Sequence, residues 1–218
     1  MTSTRLVLLD FDGTLADTAP DLAGAAIDMQ LARELAPTDY AALRAVASHG
    51  ARGLLSAAFG ISPGQPDYEP MRLEFLDRYE QRMTRHTRLF DGVDTLLARL
   101  DQRNIAWGIV TNKATRFTHP IVSALGLVPG VVVCGDTTPH IKPHPEPLLH
   151  AARQLSIAPS DCIYVGDDLR DIQAGQAAGM RTIVAAYGYL GAAGSPDSWG
   201  ADHVAATVAD LHDLLKDG

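Results

Sequence analysis

Cysteine is scarce in this chain: only Cys134 and Cys162 occur among 218 residues, each at an end of an apolar run. Thiols so placed read as buried, reduced small hydrophobes, which excludes a disulfide-stapled scaffold of the secreted kind. Long apolar runs are missing too. The segment Met1–Leu9 has one basic residue, Arg5, and its apolar stretch is too short for a secretory signal or a membrane span. A cytoplasmic protein with no membrane partner is the expectation. Positive charge is in deficit, with 18 Lys and Arg against 26 Asp and Glu, a net charge of -8 and no basic run. A nucleic-acid partner is excluded on that ground, because a phosphate backbone demands a basic face. Anionic small molecules need only a local cationic pocket. No internal repeat or low-complexity tract stands out.

What is present begins at Leu6-Val7-Leu8-Leu9-Asp10-Phe11-Asp12-Gly13-Thr14-Leu15, where an apolar run gives way to two aspartates and a turn. This reads as a buried strand ending in a loop that carries chemistry. Alternation along an extended segment sends Asp10 and Asp12 the same way and turns Phe11 toward the core. Two carboxylates about 4 Å apart repel by about 4 kcal/mol at an effective dielectric near 20, so a cation is expected beside them. With neither thiolate nor imidazole nearby, the oxygen donors favour a hard ion, magnesium, which takes one or two carboxylates plus substrate phosphate.

The region from Asp17 to His86 has no convincing strand and reads as helical. Asp17 or Thr18 caps a first helix with Pro20 in its opening turn, and helical periodicity runs from Leu22 to Leu35. A second helix spans Tyr40 to about Ser48, the break His49-Gly50-Ala51-Arg52-Gly53 follows, and helices resume over Leu54–Phe59 and Asp67–Arg85. From Phe90 onward, strands at Ile105–Val110, Val131–Cys134, Cys162–Val165 and Thr182–Ala185 alternate with helices, the last near Val208–Leu215. The fold class is therefore α/β: a Rossmann-like parallel sheet with helices on both faces, plus an inserted all-helical segment. Ligands in such sheets bind at the carboxyl ends of the strands. Four strands end in polar residues there, at Asp10, Thr111, Asp136 and Asp167.

Four motifs carry a resemblance: Asp10-Phe11-Asp12-Gly13-Thr14-Leu15, Val110-Thr111-Asn112-Lys113, Lys142-Pro143 before Pro145-Glu146-Pro147, and Gly166-Asp167-Asp168-Leu169-Arg170-Asp171. In this order the chain resembles the haloacid-dehalogenase-like superfamily of aspartyl-phosphate-forming hydrolases, in particular its phosphoglycolate-phosphatase-like group. The resemblance implies a core of residues 1–16 and 89–218 and a helical cap of residues 17–88. It implies Asp10 as nucleophile and Asp12 as general acid and base, with the Asp12 carbonyl as a metal ligand standing as the rival or companion role. Thr111, Asn112 and Lys142 are implied as phosphate-binding residues, the Asn112 contribution coming from its backbone N–H. Asp10, Asp12 and Asp167 are the implied Mg2+ ligands, while Asp168 and Asp171 reach the ion through water, their relative weight left open. This sequence has His144 where the family more often has an acidic residue.

In the cap, Arg52 is the expected reader of a substrate carboxylate, against a solvated arginine as the alternative, with His49 as second candidate. His140 and His144 flank Lys142, but intervening prolines deny them the helical spacing of a zinc pair. The expected partner is a small phosphomonoester, phosphoglycolate by default, and the chain is expected to be a monomer or weak dimer. Tyr187-Gly188-Tyr189, Gly50-Ala51-Arg52 and Trp199-Gly200-Ala201-Asp202 also resemble bacterial N-acetylmuramic acid 6-phosphate phosphatases. A sugar phosphomutase and a non-catalytic binding module are the remaining alternatives. If the first strand is central, Cys134 and Cys162 lie three strand steps apart, about 14 Å, beyond disulfide reach.

Overall fold

Apolar runs buried on both faces form a parallel sheet here, as hydrophobic patterning of this kind dictates. The computed structural model describes residues 4–191 and 194–216. Residues 1–3, within the amino-terminal segment read for a signal, and residues 192, 193, 217 and 218 lie outside the described residues.

In chain order the elements are β1 (Leu6–Leu9), β2 (Ala16–Asp17), α1 (Ala19–Leu31), α2 (Tyr40–Arg44), α3 (Gly50–Phe59), α4 (Tyr68–Glu80), β3 (Arg88–Leu89), α5 (Val93–Gln102), β4 (Ala106–Val110), α6 (Thr115–Ala124), β5 (Val131–Val133), α7 (Glu146–Gln154), β6 (Cys162–Gly166), α8 (Leu169–Ala177), β7 (Arg181–Ala185), β8 (His203–Ala205) and α9 (Val208–Leu214). Six strands make one sheet in the order β5-β4-β1-β6-β7-β8, every pair parallel. In central β1, Val7 and Leu9 join one apolar cluster and Leu6 and Leu8 another, so the strand is buried from two sides.

Helices α1–α4 fall between β2 and β3, which pair as a two-stranded antiparallel ribbon, Ala16 with Leu89 and Asp17 with Arg88. Asp17, read above as the start of helical sequence, thus belongs to a strand. Just beyond the ribbon, the buried Asp21 carboxylate accepts from the amides of His86 and Thr87 at 2.9 Å each and from the Thr87 hydroxyl at 3.0 Å. The two chain crossings into the helical insertion are therefore pinned to each other.

Several expected boundaries move. Helix α1 stops at Leu31, because Glu34 takes a positive φ of 56°. Helix α3 starts at Gly50, itself at φ 57°, so Arg52 lies in its first turn and not in an interhelical break. Cys162 opens β6 as read, and both cysteines are free and buried, with β4 and β1 between their strands. The edge strand β8 went unread: of its three residues only Ala205 is buried, so it has no apolar run to find.

Candidate active site

The carboxyl ends of β1, β4 and β6 meet beside the first turns of α3 and α8, and a cavity of about 540 Å³ opens there. Asp10 extends β1 through its N–H to the Val165 carbonyl at 2.9 Å. Its carboxylate lies 2.8 Å from Lys142 Nζ, which also lies 2.7 Å from Asp171, donates to the Tyr164 hydroxyl at 2.8 Å and to the Val110 carbonyl at 3.0 Å. Lys142 is thus a buried cation whose ammonium meets four protein oxygens. Burial alone would lower its pKa; the charges of Asp10 and Asp171 outweigh that and raise it. For Asp10 burial dominates over Lys142, and its pKa is pushed up to about 6.

Asp167, fully buried at the end of β6, accepts from Thr14 Oγ1 at 3.0 Å, the Tyr189 N–H at 2.9 Å and Ser48 Oγ at 3.4 Å. No cation pairs with it among the described residues. Burial first, then the Asp10 and Asp171 charges, raise its pKa well above the carboxylate range. Oxygens of Asp10, Asp167 and Asp171 all lie within 4.8 Å of one another. Three carboxylates against the single Lys142 ammonium leave a deficit of positive charge, and an all-oxygen donor set of this kind suits a hard divalent cation. Gly13, at φ 86°, and Gly188 form the floor: a Cβ on either would meet the Asp167 side chain.

Asp12 points elsewhere. Both of its carboxylate oxygens accept from Lys113 Nζ, at 2.9 and 3.1 Å, and Oδ1 also accepts from the Thr18 hydroxyl at 2.5 Å. Its side chain is therefore not in the acidic cluster, and only its carbonyl is left for a ligand role. The first two aspartates, read above as sharing one cation, each have a lysine.

Thr111 is among the cavity-lining residues, and its hydroxyl oxygen accepts from the Lys113 N–H at 3.2 Å. The Asn112 side chain has a task not foreseen: its Nδ2 donates to the Lys142 carbonyl and its Oδ1 accepts from the Lys142 N–H, both at 2.9 Å. It fixes the backbone that carries the central lysine.

Asp168 and Asp171 separate cleanly. Asp171 enters the acidic cluster, and its other oxygen accepts from the Asp168 N–H at 3.0 Å. Asp168 caps α8 by accepting from the Arg170 N–H at 2.9 Å, and Arg170 Nε and Nη2 each bind it at 2.8 Å. Burial would raise its pKa, but His49, whose Nε2 is 3.6 Å away, and Arg170 hold it far below the usual range. Arg170 also donates to the Ser48 carbonyl at 3.1 Å, so residues 48 and 49 dock the helical insertion on α8.

Arg52, exposed, lines the cavity and has no hydrogen-bond or ion-pair partner among the described residues. Asp136, the remaining polar strand end, is not among the cavity-lining residues and accepts from the Thr115 N–H at the start of α6 at 2.9 Å. His140 and His144 do come together, their rings stacked 4.1 Å apart despite the prolines, since a bent loop achieves what helical spacing could not. Lys113, Tyr164 and Tyr189 were missed as site residues. No described helix is long and apolar enough to cross a membrane.

Residues 7–185 match the family model described as haloacid dehalogenase-like hydrolase. The N-acetylmuramic acid 6-phosphate phosphatase of Pseudomonas aeruginosa is 45% identical over 213 residues, covering 97% of this chain and 94% of that protein. The phosphoglycolate phosphatase of Xanthomonas campestris pv. campestris is 44% identical over 200 residues, covering 91% and 90%. A crystal structure of a predicted phosphoglycolate phosphatase from Haemophilus somnus superposes with a TM-score of 0.86 at 25% identity, covering 98% of this chain and 99% of that one. The four motifs, the parallel sheet that gathers them and these likenesses agree: the chain belongs to the haloacid dehalogenase-like hydrolase family, among its phosphatases.

Proposed function

We propose that this enzyme hydrolyses a small acidic phosphomonoester of the phosphoglycolate type through an aspartyl phosphate on Asp10. The observation that carries the reading is the gathering of the Asp10, Asp167 and Asp171 carboxylates, two of which, Asp10 and Asp171, pair with Lys142 in the lining of one cavity. An Asp10 carboxylate oxygen attacks phosphorus as the bond to the leaving oxygen breaks, and Asp12 gives that oxygen its proton. Water then attacks the aspartyl phosphate while Asp12 takes a proton back, returning Asp10 and inorganic phosphate. Lys142 and the Thr111 hydroxyl stabilise the charge gathering on the phosphoryl oxygens. Asp10, Asp167 and the Asp12 carbonyl are the proposed ligands of Mg2+, with Asp171 behind them; when bound, the ion screens the phosphoryl charge. Helices α1–α4 act as a cap that excludes water, and Arg52 receives a substrate carboxylate.

One observation favours a second substrate. A cavity of about 540 Å³ suits a ligand of drug-like size, and two-carbon phosphoglycolate occupies little of it. N-acetylmuramic acid 6-phosphate, which also bears a carboxylate, fits that volume better. The test is phosphate release from both esters in parallel, with magnesium present and chelated. Preference for either ester selects its reading; equal rates defeat both substrate assignments, and an isomerised product without phosphate release would mean a phosphomutase.

A further inference from the structure

Thr18 stands at the head of α1, where a threonine hydroxyl ordinarily accepts from an amide of the first turn. Here it does not. Pro20 removes one such amide, and the Thr18 hydroxyl makes no capping bond. Instead the Tyr189 phenol oxygen, 171 residues away, accepts from the N–H of Thr18 at 2.8 Å and from the N–H of Ala19 at 2.9 Å. The phenol in turn donates to Asp17 Oδ1 at 2.9 Å. With the helix head served from outside, the Thr18 hydroxyl is free to donate to Asp12 at 2.5 Å.

We propose that Tyr189 is a positioning residue for the proton-transferring Asp12, acting through Thr18. The inference rests on the reading of Asp12 as general acid given above. Three features give it rigidity. The Tyr189 ring is buried, its own N–H holds Asp167 at 2.9 Å, and the Arg44 guanidinium lies 4.7 Å over the ring while bonding Asp17 at 2.6 Å. Arg44 ends α2, so the seating of the helical insertion bears on the same phenol that aims Asp12. One tyrosine thereby spans the acidic cluster, the first chain crossing and the proton donor. A loose phenol would let Thr18 recapture its own helix and leave Asp12 with Lys113 alone.

The proton matters only for a poor leaving group, which supplies the discriminating readout. Transfer from an alkyl phosphate needs Asp12 to protonate the departing oxygen, whereas p-nitrophenolate leaves without help. The quantity to measure is kcat/KM, which reports transfer to Asp10, for phosphoglycolate or N-acetylmuramic acid 6-phosphate, whichever is turned over, and for p-nitrophenyl phosphate. Asp12→Asn serves as reference. General acid catalysis contributes about 10²-fold or more, so Tyr189→Phe is expected to lose about tenfold on the alkyl ester and less than about twofold on the aryl ester. Thr18→Val should show the same selectivity, and the double variant should be no worse than the poorer single one, because both act along one path. A Tyr189→Phe loss that is equal on both esters, or no loss, overturns the inference while a selective Asp12→Asn leaves the proton role standing. An unselective Asp12→Asn overturns that role and the inference with it. If Tyr189→Phe does not fold, Thr18→Val alone decides by the same criterion.

Discussion

Lys113 Nζ holds both carboxylate oxygens of Asp12, at 2.9 and 3.1 Å, from a position 101 residues along the chain. The lysine side chain is 7% exposed and the aspartate 14%, so the pair is close to a buried one. The Tyr79 ring, from α4 of the insertion, lies 4.7 Å from the same ammonium. Breaking a buried pair by removing one partner costs about 3 kcal/mol or more, since the other charge is left in low dielectric. Lys113→Met is therefore expected to lower the unfolding free energy by that amount, read as a lower denaturant midpoint at unchanged slope, and Lys113→Met with Asp12→Asn to recover most of it. A double variant as unstable as the single one would show that the lysine stabilises by packing instead.

Lys142 carries the heavier burden, because its removal strands Asp10 and Asp171 together beside Asp167. Lys142→Met should lose at least about 10²-fold in kcat, as deletion of a preorganised charge at a reacting centre does. Its stability deficit should exceed about 3 kcal/mol at pH 8 and shrink at pH 5, as Asp10 and Asp167 take up protons. Urea melts at the two pH values check this, and a deficit independent of pH would contradict it.

Much of this architecture was legible because the strands are buried from both sides and so read as unbroken apolar runs, β1 and β6 most plainly. The strand ends then named Asp10, Thr111 and Asp167. What escaped has a common physical cause. Lys113 after a strand end looks like a solvated lysine, and Tyr189 beside a glycine looks like loop; both acquire their partners across more than a hundred residues. Asn112 was read by its backbone, whereas its side chain clamps Lys142. Asp136 shows that a polar strand end need not face the cavity, since it serves the start of α6 through Thr115.

Chelated protein should be least stable where the active enzyme works. Asp10 titrates near 3.9 when unfolded and at about 6 when folded, so between these values the folded state binds more protons. Its stability is therefore greatest below about pH 4 and is lost as pH rises through 6, by about 3 kcal/mol for this group alone. Asp167 adds a loss of the same sign. In EDTA, Asp10→Asn is expected to raise Tm at pH 7.5 and to leave it nearly unchanged at pH 4; magnesium should raise Tm of the parent protein at pH 7.5 and restore its activity. A Tm for Asp10→Asn below that of the parent at pH 7.5 would refute the sign.

Arg52 differs from the cations already discussed in having nothing to release. It sits in the first turn of α3, exposed and unpartnered among the described residues, while Arg170 is committed to Asp168 and Arg72 to Glu69 at 2.9 Å. Arg52→Ala should thus leave the denaturant midpoint unchanged. A charge-assisted hydrogen bond is worth about 1.5–3 kcal/mol, so loss of a contact to a substrate carboxylate should raise KM by about 10-fold or more. If the contact is equally strong in ground and transition states, kcat stays constant. Turnover of p-nitrophenyl phosphate, which has no carboxylate, should be indifferent to the change. Comparable losses on both esters would place Arg52 with the phosphoryl group, and no loss on either would leave it a surface arginine.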